Sequence, residues 1–308
     1  MNWYIVNKIL EPNKNIRWLY SWASASCVIY DNSSIYDLYI TGRDNKGRGM
    51  IGKAKLNIKT SEVFSILSKP LLDFGAKGSF DENGITYPYV IKLDNLYYLY
   101  YTGWIQGIQV PWMNGLGLAI SDDGKNFKRF SRAPIFHRNN NDFIGIGSVC
   151  VIYDDNIFKM WYTSFKRWGG GGNFDHKHYY NIKYAESLNG YDWNPLQKIC
   201  IDFKDSSEYA IAKPTVIKVK NKYLMWYSYR GNNYKIGFAV SENGINWIRR
   251  DEIVGISTSE SGWDSEMVCY PYVFQHDNFY YMLYNGNGYG ASGLGLARIK
   301  REEIDKIL

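Results

Sequence analysis

The sequence is poor in the residues that build disulfide scaffolds, metal centres and linkers. It has four cysteines, eight prolines and four histidines in 308 residues. The cysteines show no metal-ligand spacing, and three of them (Cys27, Cys150, Cys269) fall at equivalent places in a repeat, so they read as small reduced core residues. No apolar run approaches membrane-spanning length, and the opening MNWYIVNKILEPNKNIRW lacks the basic head, apolar stretch and small-residue cleavage site of a secretion signal. The expected setting is cytoplasmic. Charge runs are missing too: the net +6 is spread along the chain, and without a basic stripe or a known module nucleic acid is not an expected partner. No phosphate-binding glycine loop, dinucleotide fingerprint or nucleophile elbow occurs, and nothing calls for a cofactor. Asp175-His176-Lys177-His178 offers two histidines with no third ligand in view, so no metal site is expected there.

What the chain has in quantity is tyrosine, 28 in all, together with 29 glycines and a segment that recurs five times. Its clearest copies are PYVIKLDNLYYLYYTG from Pro88, PTVIKVKNKYLMWYSY from Pro214 and PYVFQHDNFYYMLYNG from Pro271, each with a tyrosine (Tyr101, Tyr227, Tyr284) thirteen residues after the proline. Val149 to Tyr162 keeps that spacing, and Ser26 to Ile40 fits with one extra residue. Each copy runs on into a strand centred on a small residue (Ala54, Ala119, Ala185, Ala239, Ala297), and three copies then share the turns Ser121-Asp-Asp-Gly124, Ser187-Leu-Asn-Gly190 and Ser241-Glu-Asn-Gly244. Asp-Gly and Asn-Gly between apolar runs mark hairpins, because glycine accepts the positive φ that the turn needs. A strand beginning with the following aromatic should come next.

Anchors near 26, 88, 149, 214 and 271 give a period of roughly sixty residues. The expected fold is therefore all-β: one domain over residues 1–308, a five-bladed β-propeller with four-stranded antiparallel blades. The strand around Trp3 to Ile9 should complete the last blade, and the charged end from Lys300 to Leu308 is the best helix candidate.

Laid in register, the repeat lines up chemistry. Seven residues before the anchor stand Asp81, Asp142 and Asp264, with Glu208 one residue further on in the fourth copy and Glu266 following Asp264. Such acids either cap turns or converge on the funnel, where mutual repulsion would let one serve as acid while another stays ionised. Sixteen or seventeen residues after the anchor come Arg43, Trp104, Phe165, Arg230 and Asn287, a set suited to stacking on sugar rings and binding anions, or in the case of the arginines to structural ion pairs. Trp112 and Trp168 lie in two long insertions, the second carrying Gly169 to Gly172 as a candidate flap, and Lys213 is a further basic residue near the funnel.

ITGRDNKGR at 40–48, GSFDENGITYP at 78–88, EYAIAKP at 208–214, MWYSYRG at 225–231 and GWDSEMVCYP at 262–271, with the G-x-A-x-S-x-[DN]-G-x-x-W pattern, resemble the five-bladed propeller glycosidase superfamily: glycoside hydrolase families 32, 43, 62 and 68 and the family 130 phosphorylases. Within it the chain is most similar to a branch associated with surface-polysaccharide biosynthesis and to the propeller part of glucosamine inositolphosphorylceramide transferases. The resemblance implies a carbohydrate-active enzyme that cleaves or transfers a glycosyl unit, with a sugar, oligosaccharide or sugar phosphate as ligand. By this likeness Asp44, in Arg43-Asp44, matches the middle Asp of family 32, and Glu208 matches the acid Glu. The first copy reads SWASAS at 21–26 with no Asp, so the base or nucleophile role would fall to Asp81, Asp264 or Glu266. Family 130 enzymes use phosphate held by basic residues, a role Arg43, Lys213 and Arg230 could fill. The alternatives are a non-catalytic glycan-binding propeller in polysaccharide assembly and transfer from a nucleotide- or lipid-linked sugar.

Overall fold

In a computed structural model, which describes residues 1–169 and 177–308, each recurring segment folds into an antiparallel meander. The first pairs Ala23–Asn32, Ile35–Arg43, Gly49–Asn57 and Glu62–Phe64 in order. The second uses Gly84–Leu93, Leu96–Gln106, Trp112–Ser121 and Lys128–Arg129. Gly145–Asp154, Ile157–Trp168, His178–Ser187 and Asn194–Ile201 form the third. The fourth consists of Ala210–Val219, Lys222–Arg230, Tyr234–Ser241 and Ile248–Arg249. The last contains Cys269–His276, Phe279–Asn285 and Leu294–Lys300, and its outer strand is Tyr4–Leu10 from the other end of the chain. Helix is confined to short pieces such as Arg301–Asp305. The first strand of each meander packs on the first strand of the next, and that of the last packs on that of the first, so these strands surround an axis.

The repeated Ser-x-[Asp/Asn]-Gly turn explains its own recurrence. The Ser121, Ser187 and Ser241 hydroxyls accept the amides of Gly124, Gly190 and Gly244 at 3.0, 2.9 and 2.9 Å, and these glycines have φ of +65°, +82° and +75°. Each glycine carbonyl then accepts a bond from the meander before it: Lys53 Nζ to Gly124 at 2.7 Å, Tyr100 OH to Gly190 at 2.9 Å and Trp161 Nε1 to Gly244 at 2.7 Å. The turn is thus a lock between meanders as well as a reversal. The strand after it starts one residue beyond the aromatic and is only two residues long in the second and fourth meanders.

Every inner strand carries a bulge, where two of its residues face one on its partner. The bulge opens with Ala25, Tyr87, Lys213 and Tyr270 in the first, second, fourth and last meanders, at φ of +39°, +55°, +52° and +56°. Such values are costly for residues with side chains, so the surroundings must hold them. The hold is a bond from each bulge amide to the preceding meander: Ala25 N to Asn285 Oδ1 (2.8 Å), Tyr87 N to Thr41 Oγ1 (3.0 Å), Lys213 N to Ser148 Oγ (2.9 Å) and Tyr270 N to Ser228 Oγ (2.7 Å). The bulges turn these side chains toward the axis.

Candidate functional site at the tyrosine-lined mouth

The carboxylates seven residues before the anchors do not gather at the axis. Asp81, Asp142 and Asp264 are buried, and each accepts a bond from the tyrosine twenty residues later in its own meander: Tyr101 at 3.3 Å, Tyr162 at 3.0 Å and Tyr284 at 2.9 Å. Asp81 also pairs with Arg129 of the outermost strand at 2.8 Å, and Asp142 with Lys183 at 2.8 Å. Glu208 turns outward as well, both its oxygens meeting the Arg249 guanidinium at 2.7 and 2.9 Å while Tyr227 donates to Asp251 instead. Asp44 caps its own turn, accepting the amides of Lys46 and Arg48 and the Arg48 guanidinium; burial works to raise its pKa, but these bonds outweigh it and hold the group ionised. Glu266 differs: it is exposed, has no ion pair among the described residues, and its backbone amide donates to Asn287 Oδ1 at 2.8 Å.

Around the axis at this end stands a wall of aromatic side chains. Tyr87 and Tyr270 meet hydroxyl to hydroxyl at 3.3 Å, the Tyr180 and Tyr234 hydroxyls are bonded to each other, and Tyr289 stacks on Tyr270. Desolvation by burial raises the pKa of Tyr87, Tyr180, Tyr234 and Tyr270, so their hydroxyls remain protonated donors. Arg230 lies over the rings of Tyr209, Tyr234 and Tyr289 at 5.4, 5.4 and 5.7 Å and has no carboxylate partner among the described residues. Arg43 likewise lacks one; its guanidinium stands 4.8 Å over Trp22, whose Nε1 donates to Gly288 O beside Tyr289. The wall continues through Phe165 and His178 to Trp168 and Trp112, whose ring centroids are 5.0 Å apart.

Of the sequence-predicted residues the mouth therefore gathers Arg43, Arg230, Trp112, Trp168 and Asn287, and Glu266 is tied to it through its backbone bond to Asn287. Asn287 is a holder, accepting the Glu266 and Met267 amides and donating to Gly262 O. Trp104 packs against the start of the second inner strand, where a Cβ on Gly84 would come within 2.5 Å of its Nε1. Lys213 is fully buried and reaches down the axis, away from the mouth. Residues 170–172 of the glycine run, and Asp175 and His176, lie outside the described residues. The tyrosines escaped the sequence reading although a signal existed: Tyr87, Lys213 and Tyr270 each immediately precede the repeat's proline. Clefts at Leu67–Leu71 with Lys125–Lys128 and at Lys8–Lys14 lie at the outer edges and gather no such chemistry.

This arrangement can hold a sugar face on aromatic rings, offer neutral hydroxyl donors to its hydroxyls, and bind an anionic group on two guanidinium forks. No family model matches the chain. It is 34% identical over 298 residues to the uncharacterized protein Rv1502 of Mycobacterium tuberculosis (strain ATCC 25618 / H37Rv), covering 96% of this chain and 99% of that protein. Among solved structures, a glycoside hydrolase superposes with a TM-score of 0.73 at 16% identity, over 97% of this chain and 91% of that one. The beta-1,2-mannobiose phosphorylase from Listeria innocua, solved with beta-1,2-mannobiose, does so at 0.70 and 13%, over 99% of both. At these identities the structural likeness speaks for the fold.

Proposed function

We propose that this chain, which belongs to the family of the mycobacterial protein Rv1502 and shares the fold of glycoside hydrolases and phosphorylases, is a carbohydrate-active enzyme working at the tyrosine-lined mouth. The meanders are read as five four-stranded blades, and the reaction as cleavage or transfer of a glycosyl unit. The observation that carries this reading is the pair of guanidiniums without carboxylate partners among the described residues, Arg43 and Arg230, flanking aromatic rings; the exposed Glu266, whose backbone is held by Asn287, is the candidate carboxylate. Glu266 is the proposed acid: it gives its proton to the departing glycosidic oxygen as the bond from the anomeric carbon breaks, and an acceptor oxygen takes that carbon. An anionic acceptor such as phosphate would sit on the two arginines, as in phosphorolysis. Glu208, whose oxygens both face Arg249, is less suited to that role. Four buried free thiols fit a reducing, cytoplasmic setting, and polysaccharide assembly is the proposed context.

The test is Glu266→Gln. Thermal-shift screening over sugars, sugar phosphates and nucleotide sugars first identifies a ligand, and product chromatography then follows turnover. The substitution should cut turnover by roughly 10²-fold or more, leaving Tm unchanged; full retained turnover discards Glu266. A second reading, a non-catalytic glycan-binding propeller, draws support from the structural engagement of Asp81, Asp142, Asp264 and Glu208. It predicts a stabilising sugar with no product and with binding that survives Glu266→Gln.

A further inference from the structure

Beneath the tyrosine wall the axis holds donors without matching acceptors. Lys213 has no solvent exposure and its Nζ has no hydrogen-bond partner among the described residues. The nearest aromatic faces, Tyr89 and Tyr272, have centroids 5.8 and 5.9 Å from Nζ, at the outer limit of a cation–π contact. The thiols of Cys27 and Cys150 are the titratable groups in its electrostatic range, and neither supplies negative charge: burial pushes Cys27 up to about 12 and Cys150 to about 11. The Tyr272 hydroxyl is spent on Val28 O at 3.1 Å, whereas the Tyr89 hydroxyl accepts from Cys150 Sγ at 3.1 Å and keeps its own proton to give. Burying an ammonium in this way is costly unless an opposite charge joins it.

We propose that Lys213 Nζ binds one small monovalent anion of chloride size at the axis, with the Tyr89 hydroxyl as a further donor. A single cation balances a single negative charge, and the aromatic walls leave a larger or divalent oxyanion without compensation. The two donors come from the inner strands of the fourth and second meanders, so the ion ties together parts of the ring distant in sequence. The site is independent of the carbohydrate reading and is tested without any sugar.

Thermal unfolding is followed at constant ionic strength as methanesulfonate is replaced stepwise by chloride. The wild-type Tm should rise and saturate, and Lys213→Met should show no saturable rise. Tyr89→Phe, a milder change, should need several-fold more chloride for half the effect. Crystals of the wild-type protein soaked in bromide should show an anomalous peak at hydrogen-bonding distance from Lys213 Nζ. Equal chloride responses in wild type and Lys213→Met, no saturable response in wild type, or only water beside Nζ in the bromide crystal would overturn the proposal.

Discussion

Tyr284 donates its hydroxyl to Asp264 across twenty residues of chain, and Tyr162 with Asp142 and Tyr101 with Asp81 repeat that bond at the same separation. These pairs place the acids among the groups that hold the second, third and last meanders together.

Asp142→Ala should therefore act on stability. It strands the Lys183 ammonium and removes acceptors from Tyr162 and Ser164, all within a buried site. Breaking a buried pair from one side costs about 3–5 kcal/mol. Urea unfolding should show the midpoint falling accordingly; an unchanged midpoint contradicts the structural role.

Asn285→Ala tests closure of the ring. Asn285 accepts the Ala25 amide and donates to Ala23 O and Gly293 O, joining the last meander to the first. Three bonds lost in a buried site predict destabilisation of about 2–4 kcal/mol, measurable by the same unfolding curve. Thr41→Val, which removes the acceptor for the Tyr87 amide, should cost less, about 1–2 kcal/mol.

Arg43→Gln and Arg230→Gln address the mouth. Neither arginine holds a carboxylate among the described residues, so each change should leave Tm nearly where it was. Affinity for a sugar phosphate or another anionic ligand should drop roughly 10- to 100-fold by calorimetry, while a neutral sugar loses little. Equal losses for charged and neutral ligands would place the anion elsewhere.

Lys213 gives a pH signature in chloride-free buffer. Desolvation by burial lowers its pKa from the ordinary 10.5, and the groups facing it are Cys27, Cys150, Tyr89 and Tyr272. Between the lowered folded value and 10.5 the unfolded chain binds more protons, so stability should rise with pH across that window and the penalty should vanish above it. Comparing unfolding free energy against pH for the wild type and Lys213→Met isolates the slope, which the variant should lack.

The repeat made the strand order legible, including the pairing of Tyr4–Leu10 with Leu294–Lys300, because a fixed spacing of anchors, tyrosines and turn glycines follows directly from chain geometry. The direction of the acids was not legible. Asp81 stands in a loop before its inner strand, and periodicity does not say whether that loop folds toward the axis or back over the outer strands. Its partners carried the answer: a tyrosine at a constant twenty residues and a basic residue, Arg129 or Lys183, on a later strand of the same meander. The mouth was half visible. Arg43 and Arg230 fall at equivalent positions, but a bulge that turns Tyr87 and Tyr270 inward at positive φ leaves no trace in alternation.

The sheet that joins Tyr4–Leu10 to Leu294–Lys300 also sets an order of events during synthesis. Tyr4–Leu10 waits longer for its partner than any other paired strand described above, since the first four meanders are all made before Leu294–Lys300. Until then its hydrogen-bonding edge and the flank of the first meander stay open to other chains. Nascent copies on one message would thus face a choice between pairing with their own Leu294–Lys300 and with a neighbour's, and slow emergence of that strand would favour the second.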